Sequence, residues 1–188
     1  MRKPVILIGG TAGTGKSTLA RELGYRCGID HRLGTGFIRE IVKSQFSETL
    51  CPELYRFTFR AEDPVNNLRG QARRLHPAIT ACIRRAQTEG TSLVIEGNHL
   101  IPELYATVEV DLYFVLSAPD VPEHLRRLRG PSHTNREITM TDVDNVRRID
   151  QYLRAETQNH GTPYLPYADN LASFVALLND KRTNYALR

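Results

Sequence analysis

The sequence predicts an α/β fold, in which a five-stranded parallel sheet carries helices on both faces. Short continuous apolar runs alternate with longer amphipathic stretches along the chain, and such runs are typical of strands that are buried on both faces. Strands separated by helices form βαβ crossovers, which make the strands parallel. The length of 188 residues suits one domain over residues 1–188, since single domains run to about 100–200 residues.

The first four elements follow from apolar runs and apolar spacing. A buried strand is predicted at residues 4–8, where a continuous apolar run ends at a pair of glycines. Apolar residues that share one face predict a helix over residues 17–27. A short second strand is expected within residues 28–35, and helical spacing returns over residues 37–46.

A long amphipathic helix is predicted between residue 65 and Gly90, because apolar residues recur there at spacings of three and four. We expect this helix to bend at Pro77, because proline lacks a backbone N–H and clashes with the preceding turn. Two further apolar runs predict strands at residues 92–96 and 110–116.

The last part of the chain holds four more predicted elements. Helices are expected at residues 122–128 and 142–157, followed by a strand at 163–167 and a helix at 170–178. The irregular stretch between the first two of these helices suits a small lid, which we place at approximately residues 126–140.

The composition is that of a globular chain, with 40% apolar and 24% charged residues and a formal net charge of +4. No apolar run approaches the roughly 18 residues of a membrane span, and the run at residues 5–8 is too short for a secretory leader. Cys27, Cys51 and Cys82 show neither a disulfide nor a zinc pattern. We therefore expect a cytoplasmic protein with reduced thiols, either a monomer or a homodimer, with no membrane partner.

Arginine is far more abundant than lysine, which occurs only at Lys3, Lys16, Lys43 and Lys181. Arginine matches the geometry of phosphate and carboxylate groups in a bidentate way, but a GC-rich genome would give the same excess. The total alone therefore decides nothing, and the positions of the arginines matter more.

The segment from Gly10 to Ser17 fits the motif G-x-x-x-x-G-K-[ST] at every position, between a predicted strand and a predicted helix. Glycines let successive N–H groups point into one concavity, and the helix N-terminus adds partial positive charge. The motif predicts a P-loop NTPase fold with ATP and Mg²⁺ as cofactors. Its lysine reaches the β- and γ-phosphates, and its serine hydroxyl is a ligand of Mg²⁺. The expected nucleotide-binding residues are Gly10, Thr11, Ala12, Gly13, Thr14, Gly15, Lys16, Ser17 and Thr18.

A P-loop alone does not choose among kinases, switch GTPases and motor ATPases. The sequence has neither a D-x-x-G switch nor an N-K-x-D element at the expected strand ends. Motor and AAA-type ATPases usually have longer chains and a strand that ends in paired acids, whereas the third strand here ends in Glu96 alone. The short chain and the arginines after the fourth strand favour a small kinase, in which a mobile lid brings arginines to the phosphates.

The chain resembles the 2-phosphoglycerate kinase-like family of P-loop small-molecule kinases, which is related to zeta-toxin and to adenylate and shikimate kinases. The resemblance rests on residues 8–18, 34–35 with 38–40, 94–102 and 144–153, and so covers most of the chain. The element I-E-G-x-H-L-x-P within residues 95–102 is much more particular than the P-loop. One departure is Gly36, since many members have an aspartate there that contacts the acceptor hydroxyl or the metal.

The candidate residues beyond the P-loop have open alternatives. Glu96 is interpreted as a base for the acceptor hydroxyl or as a holder of the metal's water, and otherwise as a helix cap. His99 and Arg39 are interpreted as holding an acceptor anion, or else as a structural histidine and a solvated arginine. The resemblance adds Thr35 and Arg147 to the expected substrate site.

Arginines near the lid are expected to act on the γ-phosphate. Lys16, Glu96 and these lid arginines make up the predicted catalytic set. The lid arginines are Arg126, Arg129 and Arg136, and a surface role is the alternative for each. Four further arginines suit either a substrate-covering segment or an exposed helix face and are not ranked, namely Arg56, Arg60, Arg69 and Arg73.

We interpret the chain as an ATP-dependent phosphotransferase that acts on a small, anionic hydroxyl metabolite such as 2-phosphoglycerate. One alternative is a polynucleotide 5′-hydroxyl kinase, but the basic residues are dispersed and no aromatic stacking platform accompanies them. We therefore do not expect a nucleic-acid partner. The other alternative is a non-catalytic nucleotide-binding regulator, which the glycine at position 36 makes conceivable.

Overall fold

The computed structural model describes residues 3–130 and 137–166. Its centre is a five-stranded sheet in the order β2-β3-β1-β4-β5, and every neighbouring pair of strands is parallel. The strands are β1 (Val5–Gly10), β2 (His31–Gly34), β3 (Leu93–Glu96), β4 (Leu112–Ser117) and β5 (Tyr164–Pro166). The predicted five-stranded parallel sheet is confirmed.

Six α-helices are present in the described residues, together with two short 3₁₀ helices at Pro52–Tyr55 and Thr58–Arg60. The α-helices are α1 (Lys16–Cys27), α2 (Thr35–Lys43), α3 (Pro64–Glu89), α4 (Pro102–Tyr105), α5 (Val121–Leu128) and α6 (Met140–His160). None of the helices in the described part of the chain is long and apolar enough to cross a membrane.

Helices cover both faces of the sheet. Side chains alternate along the buried central strand, so this strand packs against helices on each face. Ile6 and Ile8 of β1 pack in one cluster with Leu23 of α1. Leu7, between them, packs on the opposite face in a cluster that contains Ile79 of α3. A third cluster joins α6 to β4 and α3. The expected two-sided covering of the sheet is confirmed.

Most predicted elements are present with shifted ends. The helix expected at 37–46 begins two residues earlier, at Thr35, directly after β2. The long helix is continuous through Pro77, and the bend stays a prediction. The helix expected at 142–157 is longer, because Thr139 and Asp142 form a capping box at its start. The helix expected at 170–178 and the end of the strand at 163–167 lie outside the described residues.

Candidate active site

The glycine-rich loop lies between β1 and α1 at the carboxyl end of the sheet. β1 ends at Gly10 and α1 begins at Lys16, which is the strand–loop–helix context that the motif requires. Gly10 has a φ of 133°, and a Cβ there would lie 2.5 Å from the carbonyl oxygen of Leu116 on β4. Only glycine meets both conditions, so the first motif glycine is required by the packing of β1 against β4.

The Lys16 side chain is buried and folds back over the loop. Its Nζ lies 2.5 Å from the carbonyl oxygen of Thr11 and 3.4 Å from Oγ1 of Thr14. Burial lowers the pKa of Lys16 to about 8, against the opposing charges of Glu96 and Asp150. The ammonium is thus bonded to neutral oxygens in a site that disfavours its charge, and an anion placed beside it would relieve that cost.

Ser17 meets Glu96 at the start of α1. The serine Oγ donates a hydrogen bond of 2.9 Å to Oε1 of Glu96, which is the last residue of β3. The register pairs Glu96 with Ile8 on one side and with Gly34 on the other. A hydroxyl and a carboxylate at this place suit Mg²⁺, which prefers oxygen ligands and keeps several waters.

No cluster of three or more histidine, cysteine, aspartate or glutamate side chains in the described ranges could hold a metal by itself. Thr18, the last residue of the expected nucleotide site, is half-buried in the first turn of α1.

Thr35 and His99, both expected in the substrate site, contact each other, and their contact with a substrate stays a prediction. Both are buried, and Nδ1 of His99 lies 2.8 Å from Oγ1 of Thr35. Nε2 of His99 lies 3.0 Å from Oε1 of Gln71 on α3. Burial, together with the charges of Arg39 and Lys16, lowers the pKa of His99 to about 3. A neutral imidazole with both nitrogens hydrogen-bonded is poorly suited to hold an anion, which favours the structural alternative for His99.

Gly97 holds Thr35 next to Glu96. It has a φ of 155°, and a Cβ there would lie 1.7 Å from Oγ1 of Thr35. The backbone after β3 therefore packs directly on the start of α2. The Thr35 side chain is fixed from two sides, by Gly97 and by His99.

Arg39 lies on the same side of the site, with a side chain that is 14% exposed. It donates to Oε1 of Glu40 through Nη2 at 2.7 Å and to the carbonyl oxygen of Arg56 through Nη1 at 3.3 Å. Its guanidinium lies 5.8 Å from the ring centre of Phe57. Because its charge also acts on His99, Arg39 belongs to the group around Thr35 and Glu96 and is not a fully solvated arginine.

Gly36 is exposed in the first turn of α2, and a Cβ there would meet no atom within 4 Å. The space for an aspartate is therefore open. The neighbouring ring of Phe37 is 81% exposed at the same end of the helix. The glycine at this position therefore removes the carboxylate of the resembled family from this edge of the site and leaves the packing unchanged.

The lid arginines are not gathered at the P-loop in this structure. Arg126 donates two hydrogen bonds to Glu123 in its own helix, and its side chain is 74% exposed. Arg129 is exposed, and its Nη2 lies 3.5 Å from Sδ of Met140. Arg136 lies outside the described residues. Their action on a phosphate stays a prediction that requires movement of this segment.

Arg147 lies on the opposite side of β1 from the Thr35 group, and its place in the substrate site stays a prediction. It donates to the carbonyl of Ala118, just after β4, and its Nη1 lies 3.4 Å from Nδ1 of His124. His124 in turn contacts the carbonyl oxygen of Ala12 in the P-loop through Nε2 at 2.7 Å. Arg147 also faces the buried Asp150 at 3.8 Å. This chain of contacts supports the nucleotide loop.

Among the four unranked arginines, Arg60 has a distinct place. It pairs with Asp142 in the capping box of α6 at 3.2 Å and lies 5.5 Å from the ring centre of Phe57. Arg69 and Arg73 both pair with Glu103 of α4. Arg60 therefore connects the segment before α3 to the start of the helix after the lid, whereas the other two fasten neighbouring helices.

Sequence reasoning missed Gln71 and His124. Gln71 carries a signal that was available, because it stands on the buried face of α3 between Leu68 and Leu75, where apolar residues are expected. A fully buried glutamine must find hydrogen-bond partners, which makes such a position a candidate for a polar network. His124 on α5 carries no comparable signal in the sequence.

An α/β sheet with the glycine-rich loop after its central strand, and a buried lysine at the start of the following helix, has the P-loop NTPase fold. The chain belongs to the AAA domain family, whose model matches residues 6–153. A P-loop family of this kind implies the use of a nucleotide.

Curated relatives confirm the resemblance to 2-phosphoglycerate kinases. A protein of that name from Thermococcus kodakarensis is 29% identical over 93% of this chain and 65% of its own length. The 2-phosphoglycerate kinase of Methanopyrus kandleri is 30% identical over 86% of this chain and 55% of its own. The chain thus spans between about half and two thirds of the length of these relatives.

Two solved kinases share the fold. Shikimate kinase from Acinetobacter baumannii, in complex with shikimate, has a TM-score of 0.56 at 15% identity, covering 95% of this chain and 94% of its own. A gluconokinase from Sinorhizobium meliloti has a TM-score of 0.52 at 13% identity, covering 98% of this chain and 94% of its own. At these identities the similarity concerns the fold.

Proposed function

We propose that this chain is an ATP-dependent phosphotransferase that transfers the γ-phosphoryl group to a hydroxyl of a small anionic compound. The observation that carries the proposal is the contact between Ser17 and Glu96 beside the buried Lys16 ammonium. It brings an anion site and a metal-binding pair to the carboxyl end of adjacent parallel strands, where open α/β sheets bind ligands. The curated relatives that match the chain are named for a kinase reaction of this type.

The residues have distinct roles in this proposal. The loop N–H groups and Lys16 would hold the phosphates, and Ser17 and Glu96 would hold Mg²⁺. Bound Mg²⁺ would neutralise the charge that develops on the phosphate oxygens. Little covalent chemistry is left for the protein in phosphoryl transfer, so positioning and charge carry most of the catalysis.

The acceptor lies, in this proposal, between Glu96 and Arg39, at the start of α2. The relatives' name makes 2-phosphoglycerate the first candidate, because its free hydroxyl is the group to be phosphorylated and its anionic groups suit Arg39. In the absence of an acid at position 36, the acceptor hydroxyl loses its proton to Glu96 or to water as the new bond to phosphorus forms and ADP leaves. Arg126 and Arg129 remain candidates for the transferring group after a movement of the lid.

The charge distribution gives less support to a polynucleotide acceptor. Many arginines of the described ranges are paired with carboxylates, for example Arg69 and Arg73 with Glu103 and Arg74 with Glu53. A surface that neutralises several phosphates of a nucleic acid needs cations that are free to replace counterions. A small anionic acceptor needs far fewer.

The proposal is tested by acceptor-dependent ADP formation with Mg²⁺–ATP and a panel of hydroxy acids, phosphorylated hydroxy acids, sugars and nucleosides. We expect turnover with 2-phosphoglycerate or a close analogue, and a loss of at least about 100-fold in Lys16→Met. Lys43→Met is the matched control, because Lys43 is bonded to Glu40 on the outer part of α2, and it should keep the activity. Nucleotide binding without turnover on any acceptor would favour the regulator instead.

A further inference from the structure

We propose that Gln71, a buried residue of α3 that no motif marks, positions the acceptor side of the site. In this proposal it fixes His99 in one tautomer, with the proton on Nε2, so that the hydroxyl of Thr35 must donate to Nδ1. The part of the inference that concerns the acceptor rests on the proposed function, whereas the part that concerns His99 does not.

The orientation of the Gln71 amide is determined by its partners. One end lies 2.6 Å from the carbonyl oxygen of Glu53 and 2.9 Å from that of Arg56. Carbonyl oxygens only accept hydrogen bonds, so this end is the NH₂ group, with both protons used. The other end, Oε1, therefore faces Oγ1 of Thr58 at 2.7 Å and Nε2 of His99 at 3.0 Å.

The amide orientation determines the state of His99. Because Oε1 of Gln71 only accepts, Nε2 of His99 carries the proton of their hydrogen bond. The imidazole is buried, and the charges of Arg39 and Lys16 also disfavour its protonation, so Nδ1 is bare. The only donor for the 2.8 Å contact at Nδ1 is then the hydroxyl of Thr35.

The same glutamine reaches the other residues of this side. The carbonyl oxygen of Arg56 accepts both from Gln71 and from Nη1 of Arg39. Thr58, which donates to Gln71, accepts from Nδ2 of Asn98 at 3.0 Å. One buried side chain thus ties α2, the segment before α3 and the loop after β3 together.

In this proposal, Gln71 affects the position of Glu96 through the packing of the residues between them. Gly97 follows Glu96 and packs on the oxygen of Thr35, with no room for even a Cβ. A Thr35 side chain that lost its bond to His99 would press on this backbone and displace the carboxylate of Glu96. Gln71 therefore acts through other residues and touches no reacting atom itself.

The first test is the tautomer of His99 in the unmodified chain, measured by ¹⁵N NMR of the imidazole nitrogens without any substrate. The resonances are assigned as those that disappear in His99→Gln. We expect a protonated Nε2 and a bare Nδ1, unchanged between about pH 5 and pH 8, because a buried imidazole resists protonation. A proton on Nδ1, or a charged imidazole near pH 6, would overturn the proposal.

The second test compares Gln71→Glu with Gln87→Glu, the same change near the end of α3, where Gln87 is exposed and bonds to the carbonyl of Glu109. Gln71→Glu puts an oxygen where two carbonyls need a donor. We expect KM for 2-phosphoglycerate to rise by about tenfold, and KM for ATP to change by less than about twofold. The control should change neither KM. An equal rise in both KM values would contradict a role of Gln71 that is specific to the acceptor.

A milder variant covers the case in which Gln71→Glu does not fold. Thr58→Val removes only one partner of Oε1, and we expect a smaller rise in KM for the acceptor in the same direction; an unchanged KM would count against the network. If the unmodified chain phosphorylates no acceptor, the proposed function fails, and the tautomer measurement still decides whether Gln71 fixes His99.

Discussion

The Lys16 ammonium is buried, and no carboxylate is hydrogen-bonded to it. Its protonation state is therefore expected to depend on a bound phosphate. Burial lowers its pKa to about 8, so that near pH 8.5 more than half of the unliganded protein carries a neutral lysine. An anionic phosphate beside Nζ favours the charged form and raises the pKa again. Nucleotide binding is then linked to the uptake of a proton.

This linkage predicts that the measured heat of nucleotide binding depends on the ionisation enthalpy of the buffer. For a non-hydrolysable ATP analogue with Mg²⁺ near pH 8.5, we expect titration calorimetry to show uptake of more than about half a proton per site. Lys43→Met should show the same uptake, because Lys43 is outside the loop. A binding heat that does not depend on the ionisation enthalpy of the buffer would show that Lys16 is already charged.

At the scale of residues, the features that the sequence predicted are those formed by residues adjacent in the chain. The spacing from Gly10 to Ser17 dictates the loop, because consecutive peptide units form one phosphate cradle. Gln71 was not predictable in the same way, because its partners, Glu53, Thr58 and His99, come from distant segments. The sequence placed His99 in the substrate site, but its burial follows only from the packing around it.

The junction between β3 and α4 is the element on which the proposed acceptor side depends. It brings Glu96, Gly97 and His99 against the start of α2 within four residues. The positive φ of Gly97 and its contact with Thr35 leave no room for a side chain. The geometry of this junction therefore determines both its local stability and the position of the Glu96 carboxylate.

Gly97→Ala tests this element. Because the new methyl group would overlap Oγ1 of Thr35 in a strained backbone conformation, we expect the free energy of unfolding to fall by about 3 kcal/mol. Gly24→Ala is the matched control, since Gly24 lies within α1 with no atom near its Cβ position, and it should raise stability by about 0.5–1 kcal/mol. Chemical denaturation measures both, and equal stability of Gly97→Ala and the parent chain would contradict the close packing of Gly97 on Thr35.

At the scale of elements, β1, β3 and β4 were predictable because they are buried apolar runs, whereas β2 and β5 are short and partly exposed. The ends were less so: α2 begins at Thr35 because β2 passes into it directly, and α6 begins at Met140 because Thr139 and Asp142 cap it. The position of Arg147 relative to the other expected substrate residues was not predictable, because strand order cannot be read from strand positions. β4 lies on the far side of β1 from β3, and Arg147 packs against the end of β4.

The whole molecule divides its site along the central strand. On the β4 side, Arg147 and His124 support the nucleotide loop, whereas on the β3 side Glu96, Thr35 and Arg39 form the acceptor side that we propose. Lys16 and Ser17 lie between them at the start of α1. In the proposed function, the phosphoryl group passes from the nucleotide side to the acceptor side.

Transfer of the phosphoryl group is most directly followed by ³¹P NMR of the chain with Mg²⁺–ATP and 2-phosphoglycerate. The proposal predicts that the γ-phosphate signal of ATP falls while a second phosphate ester of the acceptor and ADP appear in equal amounts, and that Lys16→Met abolishes this change. ADP that appears only together with inorganic phosphate, at a rate that does not depend on 2-phosphoglycerate or any other hydroxyl compound, would contradict phosphoryl transfer to an acceptor.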